Sequence, residues 1–579
     1  MRKLFLPLFI LFTVFSVFMN IPASAAGEEP LFLLGQNEKA EIQLATGQVF
    51  ALKIGRNPIQ LLTGNQGQKL ILCGGQEEKS GEVKQGASLL LVAGDFQSCE
   101  KQIQCDSALV AFEVSKDSSV IWLATQGGMM NKEIIKPKIY RVDLNSFSAT
   151  ETVLDSLPCQ IALSGDDKRL AVACLGDKDD PSSVLTVWDA NTSQQVASFE
   201  IAANPGILSF NNENNYIMVA GYGYQEPEST STGVVTGFKI PAKYFKQLKK
   251  PAPSGVNIIN LATLDNRLFD LGRIAEDFIQ GQSGIIYSIA KDENQSIVRA
   301  TNWSGLLWEK RYDSLPKYVQ EWPDKNRVFI ICGKKISIIS NDDGKTLKEL
   351  TAENDIQPFL FWDSSPYAYS YNMSKLRLNT MDLNDSELGK TFKAGSAGLK
   401  ILKATTMVLS VVAYADSLQP RYVNGVQMPT RVTPIYWPHA PKGNIVPCPE
   451  QEKLYMLNSF LAEIYTYDIQ KEVVTKKFSY LGDNSLYLQM TPHGKYVVLV
   501  TGGDWKLINT KTDKADLTFG VGGGIHLVFQ EVTAPTPYFS PDGNKMYIPK
   551  GSQILVVDLL NGKKLKSLPT KTKDATLFW

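Results

Sequence analysis

A short phrase keeps returning along this chain. In its cleanest copy it runs Tyr538-Phe-Ser-Pro-Asp-Gly-Asn-Lys-Met-Tyr-Ile548, then Gln553-Ile-Leu-Val-Val-Asp558, then Asn561-Gly562, then Lys564-Leu-Lys-Ser-Leu568. That order spells strand, turn, strand, loop, strand, turn, strand. Copies of the second half stand at Ile139-Tyr-Arg-Val-Asp143, Val184-Leu-Thr-Val-Trp-Asp189, Gly233-Val-Val-Thr-Gly-Phe238, Ile336-Ser-Ile-Ile-Ser340, Ile464-Tyr-Thr-Tyr-Asp468 and Trp505-Lys-Leu-Ile-Asn509. Runs this apolar and this rich in Val, Ile and Tyr are strands buried between sheets. An Asp or Asn at the strand end can bond the turn backbone, and Gly344 or Gly562 supplies positive φ. The first half recurs at Ile161-Ala-Leu-Ser164, Leu208-Ser-Phe210 and Leu486 to Met490, each followed by a polar turn.

A repeated four-stranded unit predicts an all-β chain built as a β-propeller. Clear copies fall about 40 to 50 residues apart, which gives about ten to twelve units. One ring typically holds about four to eight, so two propellers are expected, over residues 26–300 and 301–579. The alternative is one ring of about seven or eight units with long loops and an N-terminal β module ending near Cys105. Wide gaps at Phe238–Ser296 and Leu378–Ile464 hold either a degenerate unit or an insertion. The C-terminus, Ala575-Thr-Leu-Phe-Trp579, matches Pro358-Phe-Leu-Phe-Trp362, which opens a unit. Leu31–Leu34, Lys39–Leu44 and Val49–Ile54 read as the rest of one. Residues 571–579 are therefore expected to complete the N-terminal unit and remove an exposed sheet edge.

Ser540-Pro-Asp-Gly543, followed by a strand and then Val556-Val-Asp558, resembles the YVTN and WD-repeat-like bacterial propellers. Ser304-Gly-Leu-Leu-Trp308 resembles the blade ending of quinoprotein (PQQ-like) propellers. These resemblances imply fold much more than function. The second implies clustered charges and calcium around a cofactor, and the sequence assembles neither.

Arg2 and Lys3, the apolar run Leu4–Met19 and Ala23-Ser24-Ala25 form the pattern of a secretory signal peptide over residues 1–25. A retained anchor is the other reading, but the run falls short of the roughly 20 residues a span needs. A secreted or periplasmic protein without a transmembrane segment in the mature chain is expected. Lys+Arg 59 against Asp+Glu 59 gives no field to draw nucleic acid. The cysteines number 7, so at least one is unpaired within the chain. Cys159 and Cys174 flank the turn at Gly165–Lys168, which makes a cross-strand disulfide the leading pair, with two buried thiols as the alternative. Cys99 and Cys105 could close a small loop.

No catalytic constellation is present. The histidines are His439, His493 and His526, and none pair at zinc spacing. Asp342-Asp-Gly-Lys-Thr346 has Ile339 where a phosphate loop needs its first Gly, so it reads as a hairpin turn. Asp177, Asp179 and Asp180 lack a full calcium signature and read as a solvated turn. The expectation is no enzyme, no metal and no cofactor. Binding is expected instead in the Pro-rich loop 416–449, through Arg421, Tyr422, Arg431, Tyr436, Trp437 and His439. Tyr222 and Tyr224 head a second candidate loop. Lys243–Lys250 and Arg267–Gln280 have helical spacing. The function expected is a scaffold that recognises a protein or an envelope polysaccharide. The alternatives are a propeller enzyme, such as a quinoprotein-like dehydrogenase or a polysaccharide-active enzyme, and a small-ligand sensor.

Overall fold

A computed structural model describes residues 31–578 apart from 36–38, 44–48, 78–81, 131–132, 177–181, 224–252, 273–274, 293–294, 323–325, 362–364, 366, 373–374, 394–421, 424–425, 428–441, 459–462, 480–484, 502–503, 521–536, 541, 551–552 and 570–575. Two compact units emerge. One comprises Met1–Asp313 with Pro420–Thr430 and Ala575–Trp579, the other Ser314–Gln419 with Arg431–Asp574. Among the described residues there is no α-helix, and the chain forms antiparallel sheets in succession, as a β-propeller requires.

In the first unit, sheet I joins Leu31–Gly35, Lys39–Gln43 and Val49–Lys53 to Thr576–Phe578. Sheet II holds Pro58–Thr63, Lys69–Cys73, Ser88–Val92 and Cys99–Gln104, and sheet III holds Leu109–Val114, Val120–Thr125, Lys138–Asp143 and Ser148–Val153. Sheet IV holds Pro158–Leu163, Arg169–Cys174, Ser183–Asp189 and Gln194–Ile201. Sheet V holds Pro205–Phe210, Tyr216–Gly221, Gly255–Asn260 and Asn266–Asp270, and sheet VI holds Ala275–Gln280, Ile286–Asp292, Gln295–Asn302 and Gly305–Tyr312.

In the second unit, sheet VII runs Tyr318–Glu321, Arg327–Cys332, Lys335–Ser340 and Thr346–Thr351. Sheet VIII has Tyr367–Asn372, Arg377–Asp382 and Glu387–Lys393, with Leu360 bridging to Tyr369 on its free edge. Sheet IX runs Ile445–Cys448, Lys453–Asn458, Glu463–Asp468 and Val473–Ser479. Sheet X runs Ser485–Met490, Tyr496–Thr501, Asp504–Asn509 and Lys514–Gly520, and gains Lys442–Gly443 as a fifth strand. Sheet XI is formed by Tyr538–Phe539, Lys545–Lys550, Gln553–Asp558 and Lys563–Pro569.

The hydrophobic pattern explains the stacking. Lys69–Cys73 reads Lys-Leu-Ile-Leu-Cys because both of its faces are covered. Leu70 and Leu72 pack with Ile121 and Leu123 of sheet III, while Ile71 and Cys73 pack with Ala40 and Ile42 of sheet I. The same two-sided burial recurs between sheets III and IV, IV and V, and V and VI. In the second unit it recurs between VII and VIII, VIII and IX, IX and X, and X and XI. Outer strands have one wet face and turn polar, as in Ser148–Val153, which is almost wholly exposed.

Two turns repeat. In the first, a Ser, Thr or Asn side chain accepts the amide five residues on: Ser115 from Val120 (2.9 Å), Ser164 from Arg169 (2.9 Å), Asn211 from Tyr216 (3.0 Å), Thr491 from Tyr496 (3.1 Å) and Ser540 from Lys545 (2.9 Å). The residue three positions on takes positive φ, as Ser118, Asp167, Asn214, Gly494 and Gly543 do. His493 occupies the Asp position of this turn, and its Nε2 lies 2.9 Å from the Asp542 carbonyl of the equivalent turn in sheet XI. In the second, a strand-end Asp or Asn accepts the next amides, as Asp189 does from Asn191 (3.0 Å) and Thr192 (2.8 Å), and Asp558 from Leu560 (2.7 Å). Gly344 holds φ +68° and donates its amide to the Ser340 carbonyl (3.1 Å), so Asp342–Thr346 is the expected hairpin turn.

The C-terminal strand closes the N-terminal sheet as read: Phe32 pairs with Phe578, Leu33 with Leu577 and Leu34 with Thr576. Four readings are corrected. The span Arg267–Gln280 is not helical; it ends the strand Asn266–Asp270 and then forms Ala275–Gln280, tertiary pairing having overridden a 3.6-residue pattern. The third strand of sheet V is Gly255–Asn260, not Gly233–Phe238, which lies outside the described residues. Cys159 and Cys174 are free thiols. A β-bulge between Pro158 and Gln160 sets Pro158 opposite Cys174. It leaves Cys159 on the face toward sheet V and Cys174 on the face toward sheet III. Cys99 and Cys105 are free as well, packed in two different cores.

Candidate functional site

Most of the binding residues expected from sequence fall outside the described residues: Arg421, Arg431, Tyr436, Trp437, His439 and Tyr224. The same holds for His526, for the acidic loop at Asp177–Asp180 and for Lys243–Lys250. Tyr422 lies in a two-residue strand, Tyr422–Val423, paired with Val426–Gln427 and grouped with the first unit. Tyr222 is 1% exposed, its ring edge-on to Phe278 at 5.0 Å, in the core between sheets V and VI. That aromatic ring fills a core and offers no surface to a ligand. Trp308, the residue behind the quinoprotein resemblance, is likewise 6% exposed and packs on Tyr287 at 6.2 Å.

The described residues bring together a different constellation. In the second unit, the hairpin Gly333-Lys334 of sheet VII, the connector Glu353-Asn354-Asp355 and the hairpin leading into Arg377 of sheet VIII frame an open cleft of ≈ 500 Å³. Lys334, Glu353, Asn354, Asp355, Lys375 and Arg377 line it. Its lining is wholly polar and charged, unlike the mostly apolar lining of typical small-molecule pockets, so any ligand it takes is held by charge and hydrogen bonds.

The frame is rigid for identifiable reasons. Gly333 takes φ +63°, which a tight two-residue turn needs, and its carbonyl accepts the Ile356 amide (2.9 Å). The Lys334 carbonyl accepts the Ala352 amide (2.9 Å), so both ends of the connector are tied to one hairpin. Buried Asn372 ties it to the other: Nδ2 donates to the Asp355 carbonyl (2.8 Å) and Oδ1 accepts the Lys375 amide (3.0 Å). Just beyond, the Gln320 amide from sheet VII clamps Phe359, donating to its carbonyl (2.6 Å) and accepting its amide (2.8 Å).

Three cationic and two carboxylate side chains therefore share one cleft on a pinned backbone. Among the described residues no ion pair joins any of them to a partner. Asn354 donates Nδ2 to Asn379 Oδ1 at 3.4 Å, and its own Oδ1 is buried with no hydrogen-bond partner among the described residues. Such an acceptor costs free energy unless something donates to it. The sequence carried one usable signal for this site. Aligning the repeats by strand puts Lys334 and Lys375 in corresponding second-to-third-strand hairpins, hence on one face.

No known family model matches the sequence, and no characterised protein matches it at the sequence level. Solved structures with similar arrangements include dihydro-heme d1 dehydrogenase NirN, with 10% identity over 76% of this chain and 72% of that one, TM-score 0.30. Another is apo AztD from Citrobacter koseri, with 12% identity over 71% of this chain and 96% of that one, TM-score 0.32. A third is hydrazine synthase from Kuenenia stuttgartiensis, with 11% identity over 66% of this chain and 99% of that one, TM-score 0.28. The propeller assignment rests on this chain's own sheets and the cores between them.

Proposed function

We propose that this chain is an extracytoplasmic β-propeller that binds a protein or a cell-envelope polymer and acts as a scaffold, not as an enzyme. The observation that carries this reading is a contrast between connections in the first unit. In sheets II to VI the first-to-second and third-to-fourth turns are short and self-bonded. Two second-to-third connections instead grow extra hairpins, Gln76–Glu77 with Val83–Gln85 and Gly128–Met130 with Glu133–Ile135. The two hairpins meet through a bridge between Glu82 and Met129, and they leave Met129 42% and Ile134 87% exposed. Apolar side chains held out on paired hairpins suit recognition more than packing. The export pattern at residues 1–25, the balanced charge and the Pro- and aromatic-rich loop 416–449 support the same reading.

The test is capture of envelope material by the purified mature chain, comparing wild type with Met129→Ser/Ile134→Asp and with Tyr436→Ala/Trp437→Ala. Capture should fall at least tenfold in one or both variants at unchanged melting temperature. Undiminished capture by both would overturn this reading of the loops.

A further inference from the structure

We infer that the cleft between sheets VII and VIII is a binding site for an acidic oligosaccharide, with Lys334, Lys375 and Arg377 receiving the sugar carboxylate and Glu353 and Asp355 receiving its hydroxyls. This deepens the proposed function by naming the class of envelope polymer, and it rests on that reading.

The charge pattern selects the ligand. A single small anion would meet the three cations, yet it would bring its charge close to two carboxylates and supply few donors for them. A neutral sugar would satisfy the acceptors and leave the cleft's one net positive charge uncompensated. A hexuronate carries both groups: one carboxylate for the guanidinium and ammonium donors, and vicinal hydroxyls that donate in pairs to carboxylates. The two carboxylates, Glu353 and Asp355, stand two positions apart on one connector and both line the cleft.

The site is also preorganised. The connector carrying the carboxylates is held by backbone bonds to Gly333 and Lys334 and by the Asn372 side chain, so its backbone needs little ordering and the cost of binding falls on the exposed side chains. Lys334, Lys375, Glu353 and Asp355 are exposed, and Arg377 is half-buried. The cations can therefore be exchanged without opening a core.

The experiment is calorimetric titration of the full mature chain with tri-galacturonate, with maltotriose, inorganic phosphate and tri-aspartate as comparison probes. Tri-galacturonate is expected to bind at least tenfold tighter than each comparison probe and to weaken as salt rises. Lys334→Gln and Lys375→Gln should each weaken it about tenfold, the worth of one charge-assisted hydrogen bond. Both sit in exposed turns, so melting temperature should hold. The inference is overturned if the Lys334→Gln/Lys375→Gln double variant binds tri-galacturonate like wild type, or if maltotriose, phosphate or tri-aspartate binds equally well. Envelope capture that persists in this double variant while tri-galacturonate fails to bind wild type overturns the cleft assignment alone. Loss of both removes the broader reading too.

Discussion

Glu113 and Asp277 lie on the first strands of sheets III and VI, where side chains crowd between neighbouring sheets. Burial pushes both carboxyls up to about 7, and for Asp277 the Phe278 amide, donating at 2.9 Å, opposes the shift. An acid that holds its proton more tightly when folded favours folding below its unfolded value and loses that advantage as pH rises through the folded value. For these two groups the window runs from about 4 to about 7. The turn aspartates behave oppositely. Backbone amides hold Asp143 and Asp189 below the usual carboxylate range, so their contribution fades only in stronger acid. Stability between pH 5 and 8 should therefore fall with rising pH. Glu113→Gln should remove on the order of 2 kcal/mol of that fall. Denaturant unfolding of both proteins at pH 5, 6.5 and 8 measures it, and parallel pH profiles would show that Glu113 does not titrate in this window.

At the scale of the element, the β-bulge is the device that sequence periodicity does not reveal. The first strands of sheets II to VI each open with one, at Pro58/Gln60, Leu109/Ala111, Pro158/Gln160, Pro205/Ile207 and Ala275/Asp277. Counting outward from the turn at Gly165–Lys168 brings Cys159 close to Cys174, but the extra residue turns the Cys159 side chain to the opposite face. Alkylation under denaturing, non-reducing conditions should label both thiols fully, and a linked peptide containing both residues would contradict the register. Inner strands were legible because two covered faces force continuous apolar runs, as in Ile336–Ser340 and Gln553–Asp558. Turns were legible because Asp, Asn, Ser and Gly perform distinct backbone tasks at fixed offsets. The cleft was not, because Lys334 and Lys375 look like ordinary surface lysines until the hairpins that carry them are aligned. The exposed pair Met129 and Ile134 was equally hidden, since nothing local distinguishes an outward hairpin from a buried strand. Tyr222 misled for the converse reason: an aromatic beside glycines reads as loop, while the core between sheets V and VI takes its ring.

At the scale of the whole molecule, the chain's last strand belongs to its first sheet. Thr576–Phe578 pairs antiparallel with Leu31–Gly35, with Phe578 opposite Phe32. Without it, Leu31–Gly35 would present a bare row of amides and carbonyls, the kind of edge that recruits other strands. Closure also makes cooperative stability of the first unit depend on residues more than 500 positions away, a contact that must form late in synthesis. The antiparallel sense allows a decisive rearrangement, because the end of the last strand lies beside the start of Leu31–Gly35. Deleting residues 575–579 should lower the melting temperature by about 5 °C and promote association, given the few kcal/mol that a three-residue edge pairing contributes. Moving Ala575–Trp579 ahead of Leu31 through a two-residue Asn-Gly turn, in that same truncated chain, should restore the lost stability and keep the protein monomeric. Calorimetry and light scattering on the three proteins read both effects. If the strand acts by closing sheet I, its position in the chain is immaterial and only its pairing counts; failure of the transplant to recover the melting temperature would mean that the C-terminus stabilises the protein by some contact other than this one.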